Sequence, residues 1–342
     1  MNENLPSFES AELIPDYWYA IAPSSAVTSA RPIGIKRFGR RFALWRGKNG
    51  RVAGLPDRCS HRAAILSTGK IREGCIECPY HGLRFDSAGR CVLIPANGAN
   101  ASIPDGFDLS PITVREAHGL VWYWNGAGEP AAEIPWLPGA TEMGAGTAEY
   151  DYVAHAPYLR ILENLADFHH FPILHKTMLP GIGTRMDDMD ARVEGEVVSF
   201  KATMRWERPG WLRKDTPIEA WFGLPSLALI KFGGFYVNYA LAPIDSEQSW
   251  IYARYHHLQW NGALSTIAGT MAARYDRAIF KLQDRKVLVT QGDQPGDFSN
   301  FKLYAADRPI ALLWGLRKRA IVAAQNRRMS AHQETSAAAA GR

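Results

Sequence analysis

The stretch Asp57–Asp86, DRCSHRAAILSTGKIREGCIECPYHGLRFD, decides how the first part of the chain is read. It holds Cys59-x-His61, then sixteen residues, then Cys78-x-x-His81. Two thiolates and two imidazoles make a complete four-coordinate set, and zinc is the first metal to weigh. The order of the four argues against it. A zinc finger usually pairs Cys with Cys and His with His, on a helix that carries the histidines. Here each half supplies one thiolate and one imidazole. Gly69, Pro79 and Gly82 surround the ligands and no helical period runs through them, so two hairpin tips are expected to present the set.

In a Rieske 2Fe-2S centre one iron takes both Cys and the other both His, so each loop reaches across both irons. That is the pattern found. The Rieske subunits of respiratory complexes resemble it but carry an extra, disulfide-joined Cys in each loop. The matching positions here are Ala64 and Tyr80, and Leu83 stands where those proteins place a hydroxyl directed at the cluster. Fewer donors to the sulfurs favour the oxidised state, so a potential on the order of −150 mV is expected, low in the Rieske range.

A cluster domain needs roughly 100 residues, and the chain has 342, which argues for two domains. An apolar share of 46% allows a sizeable core, and a net charge of +5 without a basic stripe makes nucleic acid a poor partner. No run of eighteen apolar residues suggests a membrane span. Nor does the acidic N-terminal stretch read as a secretory signal. Cys75 and Cys91 are expected to be reduced thiols in a cytoplasmic protein.

Short strands broken by turns fill the first part (WYAIAPS, GIKRFGRRFALWRG, GLRFDSAGRCVLI, GLVWYWNG), and 125–148 reads as a linker. The second part begins with a helical stretch, YLRILENLADFHHFPILHK. Strands follow around 193–207, 218–232 and 235–260, then helices over about 264–289 and 309–325. The expected divisions are 1–130, 131–330 and a disordered tail over 331–342.

Within the first of those helices stand Asn164, Asp167, His170 and His175. Two His and one carboxylate, with positions left open, form the ligand set of a non-haem ferrous oxygenase. Residues five apart lie about 140° apart on a straight helix. Pro172, between the histidines, is therefore expected to kink the chain and swing His175 beside His170.

Together, Cys59-x-His61 with Cys78-x-x-His81, then Asn164-x-x-Asp167-x-x-His170-x4-His175, resemble the oxygenase (alpha) subunit of Rieske non-haem iron oxygenases. The compact length is similar to the homotrimeric vanillate and dicamba O-demethylase type. The resemblance implies an α+β architecture: an all-β Rieske 2Fe-2S domain followed by a helix-grip (START-like) catalytic domain with an antiparallel sheet over a cavity. It implies a 2Fe-2S cluster, a mononuclear Fe(II), and electrons from NAD(P)H through a flavin reductase, with or without a ferredoxin. It also implies Asn164 near the iron, and Asp167 bridging His170 to a cluster His of a neighbouring chain in a homotrimer. The third iron ligand is expected to be Asp284, in FKLQDRKVLVTQ, where Gln283 replaces a frequent acid; Asp293 and Asp297 are the alternatives. Leu83 for a frequent Trp and Ser60 for a frequent Pro are departures that touch no ligand.

The reading that follows is a monooxygenase that hydroxylates or oxidatively demethylates an apolar or aromatic small molecule with O2. Leu227, Leu229, Phe232 and Tyr239 are expected to line the cavity, and one of His256 and His257 to face it. The remaining aromatics, such as Trp206, Trp221 and Phe222, are expected mostly in the core. The run Arg317-Lys318-Arg319 is expected on a solvated helix face. A ring cis-dihydroxylating dioxygenase is the rival in the same class. An electron-transfer protein without catalytic iron is the rival from another.

Overall fold

The computed structural model describes residues 13–140, 146–207, 215–232, 234–291 and 301–340. Two compact units separate: the first comprises Trp18–Trp124 with Ala242–Asp245, and the second holds residues 13–17, Asn125–Leu241 and the chain from Ser246 on.

The first unit is all β. A three-stranded sheet joins β1 (Trp18–Pro23), β10 (Leu120–Trp124) and β9 (Val114–Ala117). A second joins β2 (Ile33–Arg37), β3 (Arg40–Arg46) and β4 (Val52–Pro56). A four-stranded sheet runs β5 (Lys70–Arg72), β6 (Cys75–Glu77), β7 (Arg84–Phe85), β8 (Cys91–Leu93). Trp45, Leu55, Leu66, Ile76 and Phe85 are fully buried and pack in one cluster that also contains Cys59 and Cys78. Each such side chain contributes about 1.5–3 kcal/mol by leaving water, so the thiols sit on a rigid apolar floor.

The second unit is one seven-stranded antiparallel sheet with helices against it. The strands are β11 (Thr147–Ala154), β12 (Arg185–Glu194), β13 (Val197–Arg205), β14 (Thr216–Gly223), β15 (Leu227–Phe232), β16 (Phe235–Pro243) and β17 (Ser249–His257). Their order across the sheet is β11-β17-β16-β15-β14-β13-β12. The helices are α1 (Tyr158–Ala166), α2 (Phe171–Leu174), α3 (Gly262–Ile279), α4 (Arg285–Leu288) and α5 (Arg308–Ala340). α3 packs on β11 and β17, and α5 on β12 and β13. The whole is α+β, as the motifs implied. No helix among the described residues is long and apolar enough to cross a membrane.

Several elements differ from expectation. β11 begins inside the stretch that reads as a linker. β12 has no counterpart in the sequence pattern, because its acid-rich RMDDMDARVE slips register between Asp187 and Asp190, which masks the alternation. α5 continues to Ala340, into the stretch expected as a disordered tail; its last residues are alanines, the best helix formers. Arg317 is not on the solvated face: it is buried, and its guanidinium donates to the Pro225 carbonyl and, at 2.8 Å, to the Tyr158 hydroxyl. Lys318 and Arg319 are exposed as expected.

Candidate active site: two metal-ligand clusters

In the first unit the two loops close on themselves. The N–H of Cys59 donates to Ala64 O at 2.9 Å, and that of Cys78 to Leu83 O at 2.8 Å. Gly82 takes a positive φ of 73° immediately after His81, a turn that glycine adopts without strain. Gly69 admits no side chain, since a Cβ there would lie 2.0 Å from the Glu77 carbonyl oxygen. Ser60, at the position of a frequent Pro, donates its hydroxyl to Phe107 O at 2.7 Å and ties the first loop down.

Sulfur and nitrogen are segregated. Cys59 and Cys78 are buried, at 4% and 2% exposure, and adjacent. His61 and His81 are exposed, with ring centroids 4.6 Å apart. Burial pushes the Cys59 thiol up to about 11, so the thiolate form there calls for a bound cation, which deprotonates a coordinating thiol outright. An inner sulfur pair and an outer nitrogen pair fit a two-iron cluster, one iron held by each pair.

In the second unit the helix does not run through as expected. α1 stops at Ala166; Asp167 has extended backbone (φ −97°, ψ 91°), and α2 starts after His170. Pro172 therefore does not kink the chain. It occupies the first turn of α2, where a missing N–H costs nothing. His170 and His175 flank that single turn, and Leu174 N–H donates to His170 O at 2.7 Å across it. Nor do Asp167 and His170 share a helix face; the turn between them brings Asp167 Oδ2 within 3.5 Å of His170 Nδ1.

Asp284 arrives from the far end of the chain. After α3, residues Phe280–Asp284 form one π-helical turn that leads into α4, a feature frequent at functional sites. Asp284 Oδ1 lies 3.4 Å from His170 Nε2 and 3.2 Å from His175 Nε2, and the two Nε2 atoms are 3.1 Å apart. Three ligands at right angles, each about 2.1 Å from a first-row ion, lie about 3.0 Å apart. The three atoms thus fit one face of a metal's coordination shell, with the opposite face open. Among the described residues no other group of three such side chains converges this way. Asp293 and Asp297 lie outside the described residues.

The surrounding contacts suit that geometry. Gln283 Oε1 accepts from His175 Nδ1 at 2.8 Å, and its amide nitrogen donates to Thr177 Oγ1 at 3.2 Å. Asn164 Nδ2 stands 3.5 Å from His170 Nε2 and 3.4 Å from Asp284 Oδ1. Burial alone would raise the Asp284 carboxyl, but contacts with His170 and His175 hold it well below the usual carboxylate range. Burial alone would lower His170, yet Asp167 and Asp284 hold the imidazole up, to about 9.

The three side chains open on a cavity of about 250 Å3. Its walls include Phe171, Ile230, Phe232, Phe235, Val237 and Ile279, and Tyr239 and Tyr255 also line it. Leu227 and Leu229 do not; they alternate with Ile230 and Phe232 along β15 and bury on its other face. Neither His256 nor His257 is among the lining residues; His257 stacks on Trp260 with centroids 4.2 Å apart. His169, next to the ligand candidate, contacts Tyr304 Oη at 2.8 Å instead. Asp276, Tyr275 and Thr177 enter the site without having been expected there. Asp276 carries one signal, as an acid inside the otherwise apolar and basic AARYDRAIF of α3.

Comparison with known proteins agrees with both halves. Residues 17–105 match the Rieske 2Fe-2S domain, and residues 154–309 match the vanillate O-demethylase oxygenase C-terminal domain. The chain is 31% identical to protein TIC 55, chloroplastic, of Pisum sativum, over 58% of this chain and 35% of that protein. It is 29% identical to aminopyrrolnitrin oxygenase PrnD of Pseudomonas fluorescens, over 64% of this chain and 60% of the relative. It therefore spans about a third to three fifths of these curated relatives. Dicamba monooxygenase bound to 3,6-dichlorosalicylic acid shares the fold, with a TM-score of 0.68 at 20% identity, over 89% of this chain and 98% of that one.

Proposed function

The chain belongs to the Rieske oxygenases, joining a Rieske 2Fe-2S domain to a vanillate O-demethylase-type catalytic domain, and on that premise we propose that it hydroxylates or oxidatively demethylates an apolar or aromatic small molecule. The observation that carries this reading is the His170–His175–Asp284 triangle, open on an apolar cavity, in the same chain as the Cys59, His61, Cys78 and His81 set. In such a reaction substrate C–H, O2, two electrons and two protons give an alcohol and water; on an O- or N-methyl group the alcohol collapses to release formaldehyde. NAD(P)H supplies the electrons through a flavin reductase, with or without a ferredoxin.

Cys59 and Cys78 would hold one cluster iron and His61 and His81 the other, while His170, His175 and Asp284 would hold a ferrous ion. When bound, the cluster supplies single electrons, and the ferrous ion supplies the site at which oxygen is reduced against a substrate C–H bond. The chain's own residues set the conditions. Gln283 keeps the His175 proton on Nδ1 and so leaves Nε2 free to donate its lone pair. Phe171, Phe232 and Ile279 exclude water from the open face and orient a flat apolar substrate against it. Asp167 faces His170 Nδ1 and keeps 35% of its side-chain surface exposed, so one carboxylate edge is available to His81 of the partner subunit. That contact would make a homotrimer the working unit.

The test is a screen with a surrogate reductase for substrate-dependent NADH and oxygen consumption. A compound coupling both to one hydroxylated or demethylated product supports the proposal. Reduction of the cluster without oxygen use for any apolar aromatic would argue for electron transfer alone.

A further inference from the structure

One wall of the cavity is not apolar. Asp276, on α3, and Tyr239 and Tyr255, on β16 and β17, meet there. The Tyr255 hydroxyl donates to Asp276 Oδ2 at 2.6 Å and the Tyr239 hydroxyl to the same oxygen at 3.2 Å. Both bonds converge on Oδ2, and Oδ1 meets no hydrogen-bond donor among the described residues. Burial pushes the Asp276 carboxyl up, against those two hydrogen bonds. Asp276 is half-buried, and a carboxylate oxygen with spare accepting capacity gains from any donor or positive charge that reaches it from the cavity.

No described lining residue supplies that donor. The described lining residues include no lysine or arginine, and they carry two carboxylates, Asp276 and Asp284. Asp284 is matched by His170 and His175; among the described residues Asp276 takes hydrogen bonds from the two phenols alone. An anionic ligand at this wall would meet the Asp276 carboxylate with no lysine or arginine among the described lining residues to offset it. A ligand with an N–H or ammonium group would complete the hydrogen bonding of Oδ1 while its ring lies against Phe235, Val237 and Ile279.

We propose that Asp276, held by Tyr239 and Tyr255, is the recognition group for an amine-bearing aromatic substrate, fixing its nitrogen at the end of the cavity opposed to anions. Asp276 is a specificity residue and not an iron ligand. The inference rests on the oxygenase reading of the cavity and deepens it by naming the substrate class.

Three probes with one ring and different head groups test it: benzylamine, benzyl alcohol and benzoate, titrated calorimetrically into the full-length, iron-loaded protein without reductase. Wild type should bind benzylamine at least about tenfold tighter than benzoate, as a charge-assisted hydrogen bond would give, with benzyl alcohol between them. Asp276→Asn should erase that preference with the cluster absorption unchanged. Tyr255→Phe keeps the carboxylate and should weaken the preference without erasing it, because Tyr239 still donates to Oδ2. Benzoate binding as tightly as benzylamine to wild type, no binding of benzylamine, or a preference kept in Asp276→Asn would overturn the proposal. Because the readout is binding, a chain that selects benzylamine yet consumes no oxygen with any amine contradicts the oxygenase reading and leaves this one standing.

Discussion

Gln283 and Asp284 are neighbours on one helical turn and address the two nitrogens of one ring. Asp284 Oδ1 faces His175 Nε2 at 3.2 Å, and Gln283 Oε1 takes the proton of Nδ1 at 2.8 Å. Replacing Gln283 with Leu removes the acceptor that fixes the ring. Iron affinity, measured by chelator competition, should fall roughly ten- to a hundredfold, with the cluster spectrum unchanged; undiminished affinity would mean that Gln283 does not position His175. His170 sets a pH dependence. Its imidazole is held up to about 9 in the metal-free chain, against about 6.5 when unfolded. The bound proton therefore stabilises the metal-free fold fully below about pH 6.5, and that contribution is lost as pH rises through about 9. Metal must displace the proton, so iron affinity should climb between pH 6.5 and 9; a flat profile in chelator competition would contradict the assignment. At this scale the candidate Cys and His ligands are legible in the sequence, because their fixed spacings match the ligand sets of few metal centres; Asp284 is legible only through the family resemblance. Gln283 is visible there only as a departure from a pattern. Asp276 shows only as an acid in an apolar and basic stretch, since its tyrosine partners come from strands 21 and 37 residues upstream.

The turn between α1 and α2 and the π turn after α3 are the elements that assemble the mononuclear site, and neither has a plain sequence signature. Pro172 points to a broken helix at its own position, whereas the break comes at Asp167, whose extended backbone ends α1. A π turn has no compositional mark in FKLQD. Strand faces are legible only where alternation is clean. β15 is apolar on both faces, so its pattern places Leu227 and Leu229 in the cavity wall as readily as Ile230 and Phe232. In the cluster unit, by contrast, glycines announce the hairpins, and one can be tested. Gly69→Ala places a Cβ against the Glu77 carbonyl of β6, and backbone there cannot yield. The variant should lose at least about 2 kcal/mol of stability in thermal or denaturant unfolding and bind less cluster. Wild-type stability and cluster content would show that the hairpin tolerates a side chain.

For the whole molecule, the two-domain order follows from length and from two motifs in series; the assembly does not follow from one chain. If Asp167 passes electrons to His170 from His81 of the partner subunit, Asp167→Asn should keep the cluster, most of the mononuclear iron and a trimeric sedimentation profile. Turnover should collapse while the cluster stays reduced. A variant at wild-type rate, or a fully active monomer, would remove the bridge. The most direct test of the central claim, that one chain holds a two-iron cluster and a separate ferrous site, is metal stoichiometry of anaerobically purified protein. About three irons and two acid-labile sulfides per chain are expected. Cys78→Ser should abolish the cluster's visible and EPR signals, and His170→Ala should leave both and lose one iron. Zinc in place of cluster iron with no labile sulfide, or two irons per chain unchanged by His170→Ala, would contradict the account.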